Sequence, residues 1–275
     1  MEKQVDILIV GAGISGIGIA AHLTKNNPKR KFDIIERRAS FGGTWDLFKY
    51  PGIRSDSDMS TFGFNFKPWR KANVLADGES IKGYIGEVVD EYKLKDKIHF
   101  NHRVLAANYD SSTKKWHVQI EDANQKIQTW IANFVLGCTG YYNYDQGLQP
   151  DFPNQEAFKG QLIHPQFWPE NLDYAGKKVV IIGSGATAIT LVPAMAKGGA
   201  GHVTMLQRSP TYIASIPSID FVYDKTRKFM SEDLAYKFTR ARNIGMIRGI
   251  FALSKKQPQL VRKLLLKSIE MQLKG

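Results

Sequence analysis

The chain has 275 residues, 43% of them hydrophobic and 23% charged, with a net charge of +12 and one cysteine. That size supports a sizeable core and about two domains, and a lone cysteine excludes an intramolecular disulfide or a multi-cysteine metal site, favouring a reducing, cytoplasmic setting. No run of about 18 apolar residues is present to span a membrane, and the opening apolar residues read as a strand, not a secretion signal.

Val5–Val10 is short, β-branched and almost wholly apolar, the pattern of a buried parallel strand. Gly11-Ala12-Gly13-Ile14-Ser15-Gly16 follows as G-x-G-x-x-G, Ile14 to Lys25 carries a helical apolar pattern, and Lys31–Ile35 reads as the next strand, ending on Glu36. Each part answers a need of dinucleotide binding. Gly11 permits a tight turn, Gly13 lets the backbone approach a pyrophosphate, and Gly16 lets helix and strand pack closely. The helix N-terminus offers unpaired N–H groups to phosphate. Glu36 lies 25 positions past Gly11, where an acid binds a ribose 2′-OH and repels a 2′-phosphate. FAD or NAD therefore fits better than NADP.

The loops Arg37–Trp45 and Tyr50–Asp58 are rich in turn formers yet carry aromatics and charges, which suits segments that wrap a ligand. Glu79–Tyr92 reads as a helix with Ile81, Ile85, Val88 and Val89 on one face. His99–Asn108, Lys115–Ile120 and Ile127–Ile131 read as a β-meander, followed by a further buried strand, Phe134–Gly140. His99, His102 and His117 lack metal-ligand spacing, and no metal is expected; Cys138, with no basic neighbour, reads as a packing residue.

The opening pattern then repeats. Lys178–Ile182 leads into Gly183-Ser184-Gly185-Ala186-Thr187-Ala188 and a helix, 172 residues after its counterpart. The second strand, His202–Leu206, ends in Gln207-Arg208-Ser209 in place of an acid. Arg208 sits 25 positions past Gly183, where a guanidinium takes a 2′-phosphate with help from the Ser209 hydroxyl. Opposite charges at equivalent stations predict two nucleotides, FAD first and NADPH second. Between the loops, Phe158–Pro169 reads as a proline-stiffened linker, in which His164 is more readily a hydrogen-bonded structural residue than an acid or base.

From Phe221 to Gly275 thirteen Lys/Arg face four Asp/Glu, so the basic balance belongs mostly to the tail. No interleaved aromatic stacking motif supports nucleic-acid binding. The tail is helical in pattern, with Leu260, Val261, Leu264, Leu265 and Ile269 at 3–4 spacing. That stripe packs on protein or, alternatively, makes peripheral contact with an anionic membrane surface.

These residues resemble the class B flavoprotein monooxygenases, and most closely the Baeyer–Villiger monooxygenases. Phe158-x-Gly160-x-x-x-His164-x-x-x-Trp168-Pro169 looks like that family's complete F-x-G-x-x-x-H-x-x-x-W-P/D fingerprint. Gly42-Gly43-Thr44-Trp45 and Lys49-Tyr50-Pro51-Gly52 are similar to its flavin-side loops. The run Trp45–Asp58, with Tyr141–Tyr144 and Gln207–Tyr212, resembles the subgroup of the ethionamide-activating monooxygenase.

The resemblance implies an α/β fold of two Rossmann-like (three-layer ββα) dinucleotide-binding domains, with a β-meander and a helical insertion, truncated at the C-terminus. The expected boundaries are 1–145 for the FAD domain, 146–175 for the fingerprint linker and 176–275 for the NADP domain. With the residue-level reading, the FAD set is Gly11, Gly13, Ser15, Gly16, Glu36, Arg37, Gly43, Thr44, Trp45 and Asp56. The NADPH set is Gly183, Gly185, Ala186, Thr187, Arg208 and Ser209. Asp56 matches the acid that orients the family's catalytic arginine, while His164 and Trp168 would act as a hinge that retains NADP.

The implied activity uses NADPH, FAD and molecular oxygen to turn a small ketone into an ester or lactone, or to oxygenate a sulfur compound, through a C4a-peroxyflavin. The catalytic arginine and the remaining strands are expected past Gly275, so the chain reads as an N-terminal portion, incomplete for catalysis. Two other readings stay open: an N- or S-oxygenating flavin monooxygenase, which Trp168 argues against, and a non-catalytic nucleotide-binding fragment.

Overall fold

The computed structural model describes residues 3–71, 73–209, 211–213 and 216–273; Pro210, within the Gln207–Tyr212 run, and the end of the basic tail lie outside them. The chain divides into two compact units, Met1–Tyr50 with Gly78–Leu172, and Pro51–Asp77 with Asp173–Gly275.

In chain order the elements begin β1 (Lys3–Val10), α1 (Ile14–Asn26), β2 (Phe32–Ile35), α2 (Thr44–Leu47), α3 (Met59–Phe62), α4 (Gly78–Glu91) and β3 (Ile98–His99). β4 (Arg103–Asp110), β5 (Lys115–Glu121), β6 (Ile127–Gly137), β7 (Lys178–Ile182), α5 (Ala186–Lys197) and β8 (His202–Leu206) follow. The helices α6 (Phe221–Thr226), α7 (Glu232–Lys256) and α8 (Pro258–Leu273) complete the series.

The first unit holds one six-stranded sheet in the order β3-β2-β1-β6-β5-β4. β1 pairs in parallel with β2 and β6, and β2 with β3, while β4, β5 and β6 run antiparallel. Central, doubly covered strands need apolar residues on both faces, and Leu8, Ile9 and Ile34 are fully buried. α4 buries Ile81, Ile85, Val88 and Val89, the face its 3–4 spacing predicted.

Two strand expectations are corrected. The last meander strand and the run from Phe134 are one continuous strand, β6, which joins the meander to the parallel sheet. Asn133, a turn former, sits in that strand with its side chain outward, donating from Nδ2 to Asp6 Oδ1 (3.2 Å), and Phe134 beside it is 61% exposed, not buried. The stretch from His99 to Asn108 splits instead, Ile98–His99 pairing with β2 and Arg103–Asp110 with β5.

In the second unit β7 and β8 pair in parallel, and α5 crosses between them, burying Ala188, Leu191 and Met195. Among the described residues this sheet has two strands, so Val180, Ile182 and Leu206 stay exposed. Residues 51–77, read from the sequence as part of the first domain, group with this unit. The Ser55 N–H donates to Ala76 O (2.9 Å) and the Met59 N–H to Val74 O (2.8 Å), closing the segment on itself. α7 grips it: Asn243 Nδ2 donates to Asp58 Oδ1 (2.8 Å), and Arg240 Nη1 to the carbonyls of Ser60 (2.6 Å) and Thr61 (3.1 Å). Residues 146–172, read as a linker, group with the first unit. Among the described residues no helix is long and apolar enough to cross a membrane.

Candidate functional site

β1 must turn sharply into α1, and Gly11 does so at φ +108°. Its N–H donates to Ile35 O (2.8 Å), tying the loop to the end of β2. A Cβ on Gly11 would lie 2.4 Å from the Cys138 carbonyl oxygen, and one on Gly16 would lie 1.9 Å from the Gly11 oxygen. Only glycine fits at either position. Gly13 caps α1 with extended backbone (φ −76°, ψ −173°), and the first N–H groups of the helix have no carbonyl of their own turn to reach, which makes this end a seat for an anion.

A cavity of about 430 Å³ opens at this loop, within the range of small-molecule sites. It gathers eight of the residues singled out from the sequence: Gly11, Gly13, Ser15, Glu36, Arg37, Gly43, Thr44 and Trp45. Gly43 turns at φ +58°, and a Cβ there would meet Gly13 Cα at 3.0 Å. Gly16 packs beneath the loop without lining the cavity.

Glu36 is 4% exposed. Its Oε2 accepts from the Ala12 N–H (2.8 Å) and its Oε1 from the Arg38 N–H (2.9 Å). Each oxygen keeps a lone pair, so the carboxylate can still accept from hydroxyl donors in the cavity. Behind it, the buried Asp46 accepts from Arg38 Nη2 (2.7 Å) and Lys82 Nζ (2.5 Å). Burial pushes the Asp46 carboxyl up, but those two hydrogen bonds outweigh it and hold the group below its ordinary value.

The opposite wall, Val104, Cys138, Gly140 and Tyr142–Tyr144, was not read from the sequence as a site. It follows from the pairing of β1 with β6, where Val10 faces Gly137 and the Cys138 N–H donates to Val10 O (2.8 Å). The available signal was Gly137-Cys138-Thr139-Gly140, a small-residue turn directly after an apolar strand, as at Gly11. Burial pushes the Cys138 thiol up, which suits a packing residue and not a nucleophile.

The second cradle repeats the geometry of the first. Gly183 turns at φ +127°, its N–H donates to Leu206 O (2.8 Å), and Gly185 caps α5 at φ −77°, ψ −178°. Ala186 and Thr187 open α5, and Arg208 and Ser209 are exposed just past β8. Among the described residues nothing beyond the immediate chain neighbours lies within 4 Å of a Cβ built on Gly183 or Gly185, so this loop is open where the first is tightly packed.

Asp56 lies in the second unit, exposed, its Oδ1 3.7 Å from Arg54 Nε, whereas the residues lining the cavity belong to the first unit. The fingerprint stretch lies in the first unit. Phe158 and Pro169 are exposed and Trp168 is half-buried, while Gly160 passes so near the Phe158 ring that a Cβ would meet it at 2.6 Å. His164 Nδ1 accepts from the Gln166 N–H (3.2 Å), a capping role. The buried Gln166 donates from Nε2 to the Asn143 carbonyl (2.6 Å), fixing the fingerprint to the cavity wall.

Comparison with known proteins agrees with this arrangement. Over 275 residues the chain is 81% identical to AlmA of Acinetobacter baylyi, described as a probable FAD-binding monooxygenase, covering 100% of this chain and 55% of AlmA. It is 53% identical over 267 residues to the FAD-containing monooxygenase EthA of Mycolicibacterium smegmatis, covering 97% of this chain and 54% of EthA. The OTEMO complex with FAD and NADP matches 85% of this chain and 44% of its own, at TM-score 0.69 and 26% identity. A closed cyclohexanone monooxygenase matches 78% of this chain and 40% of its own, at TM-score 0.65 and 26% identity. The chain spans about half the length of the curated relatives it matches. The family model described as FMO-like, flavin-binding monooxygenase-like, matches residues 2–231, and the chain belongs to that family.

Proposed function

We propose that the chain is the cofactor-binding portion of an FAD- and NADPH-dependent monooxygenase of the Baeyer–Villiger type. The observation that carries this reading is one contrast: two cradles of matching backbone geometry end in opposite charges, Glu36 in the first and Arg208 in the second. A buried carboxylate accepts from a ribose diol and repels a 2′-phosphate, whereas a guanidinium beside a hydroxyl attracts one.

The residues present fit both groups. Gly11 and Gly13 bring backbone close to a pyrophosphate, the Glu36 oxygens keep acceptor capacity, and the cavity has the volume for a nucleotide moiety. The second loop is unobstructed, with Arg208 and Ser209 exposed to receive a phosphate. When bound, the two cofactors supply hydride transfer and oxygen activation. This chain's residues bind and orient: Glu36 fixes the ribose, the wall from Cys138 to Tyr144 bounds the far side of the cavity, and Arg208 selects NADPH over NADH. A ketone substrate, giving an ester or lactone, is supported by Trp168 in the fingerprint and by the likeness to cyclohexanone monooxygenase.

The test is a protein extended to the length of the relatives and supplied with ketones, thioethers and amines. Consumption of NADPH and oxygen with ester or lactone formed is the expected result. Turnover of amines with no ketone converted would replace this reading by an N-oxygenating one.

A further inference from the structure

Glu36 is followed at once by Arg37 and Arg38, and an arginine near that acid is what accommodates a 2′-phosphate. From sequence alone the first cradle is therefore ambiguous, since an acid excludes what two adjacent cations would attract. The structure resolves the conflict by pairing both cations with carboxylates. Arg38 turns to the buried Asp46, bonding through Nη2 (2.7 Å) and Nε (3.1 Å). Arg37 forms a two-point ion pair with Asp145, through Nη1 (3.2 Å) and Nη2. Arg103, a second cation lining the cavity, lies 3.6 Å from the same carboxylate.

We propose that Asp145 sets the nucleotide specificity of the first cavity, by occupying the Arg37 guanidinium and offsetting part of the charge that Arg37 and Arg103 bring to its lining. With Arg37 occupied, the buried Glu36 carboxylate decides what the cavity accepts, an adenine nucleotide with a free 2′,3′-diol. This rests on the reading of the cavity as a dinucleotide site. The position of Asp145 is built, not incidental. Its N–H donates to Asn143 Oδ1 (3.0 Å), and the Asn143 carbonyl is held by Gln166 of the fingerprint stretch. The Tyr144 ring lies 5.8 Å from both the Arg37 and the Arg38 guanidinium carbons. Asp145 is half-exposed, so the pair responds to substitution without opening the core.

The experiment uses adenosine 5′-diphosphate and adenosine 2′,5′-bisphosphate as probes, titrated by calorimetry into flavin-free chain carrying Arg208→Ala, which removes the second cradle's guanidinium for a 2′-phosphate and so its preference for the bisphosphate. This parent is expected to prefer the 5′-diphosphate. Asp145→Asn should narrow that preference by about tenfold, chiefly through tighter binding of the 2′,5′-bisphosphate. Asp145→Glu should preserve it, and adding Arg37→Ala to Asp145→Asn should restore it. A preference unchanged in Asp145→Asn, with an unaltered melting temperature, overturns the role of Asp145. Failure of both probes to bind the parent overturns the dinucleotide reading beneath it, and the specificity role with it.

Discussion

Gly16 lies so close to Gly11 that a Cβ on Gly16 would sit 1.9 Å from the Gly11 carbonyl oxygen. Backbone on backbone leaves no side chain to swing aside, so the contact fixes how α1 meets β1. Gly16→Ala should destabilise the first unit by about 2 kcal/mol or more, in the range of overpacked cores, and lower flavin content. Gly185→Ala, at ordinary φ and in open space, should leave the melting temperature within a degree or so and weaken only nucleotide binding. Equal melting temperatures for Gly16→Ala and the parent would contradict the packing argument.

Asp46 makes stability pH-dependent with a definite sign. Its folded pKa is lowered because hydrogen bonds from Lys82 and Arg38 outweigh burial. The stabilisation is therefore fully present above the unfolded carboxyl value, near 4, and is lost as pH falls through the lower folded value. Asp46→Asn should cost about 2 kcal/mol at pH 7, and the gap to the parent should shrink below about pH 4. Urea denaturation at the two pH values checks this, and a gap that stays constant is the contrary result.

In the second unit, Arg240 donates from Nη1 to the Ser60 carbonyl (2.6 Å) and the Thr61 carbonyl (3.1 Å), groups at the end of a short helix that needs acceptors satisfied. Arg240→Ala should free residues 51–77, costing about 1.5–3 kcal/mol for hydrogen bonds to a charged group. Limited proteolysis should then cut first within that segment. A cleavage pattern identical to the parent's would show that Arg240 is not needed to hold it.

The two cradles were legible because strand, glycine turn, helix and strand are local: β7 and β8 start and end at the predicted residues, and Gly11 and Gly183 both take the positive φ their motif requires. The far wall of the cavity was not, because it depends on which strand lies beside β1, a pairing made across more than a hundred residues. The break expected between Ile131 and Phe134 failed in the same way: Asn133 prefers turns, yet an exposed bond to Asp6 lets it stay in β6. The ion pairs of Arg37 with Asp145 and of Lys82 with Asp46 carry no sequence signature, since any of several acids could have served. Residues 51–77 look like part of the first domain by position, and it is bonds to one another, to Ser218 and to α7 that group them with the second unit.

The contrast between Glu36 and Arg208 is tested most directly by equilibrium titration of the purified chain with NADPH and NADH, before and after Arg208→Ala, with bound flavin read by absorbance in the same samples. Removing the guanidinium should erode the preference for NADPH by about thirtyfold, roughly 2 kcal/mol, while flavin content stays at the parent's level. A preference for NADPH that survives Arg208→Ala unchanged, or flavin lost together with it, would contradict the assignment of one nucleotide to each cradle.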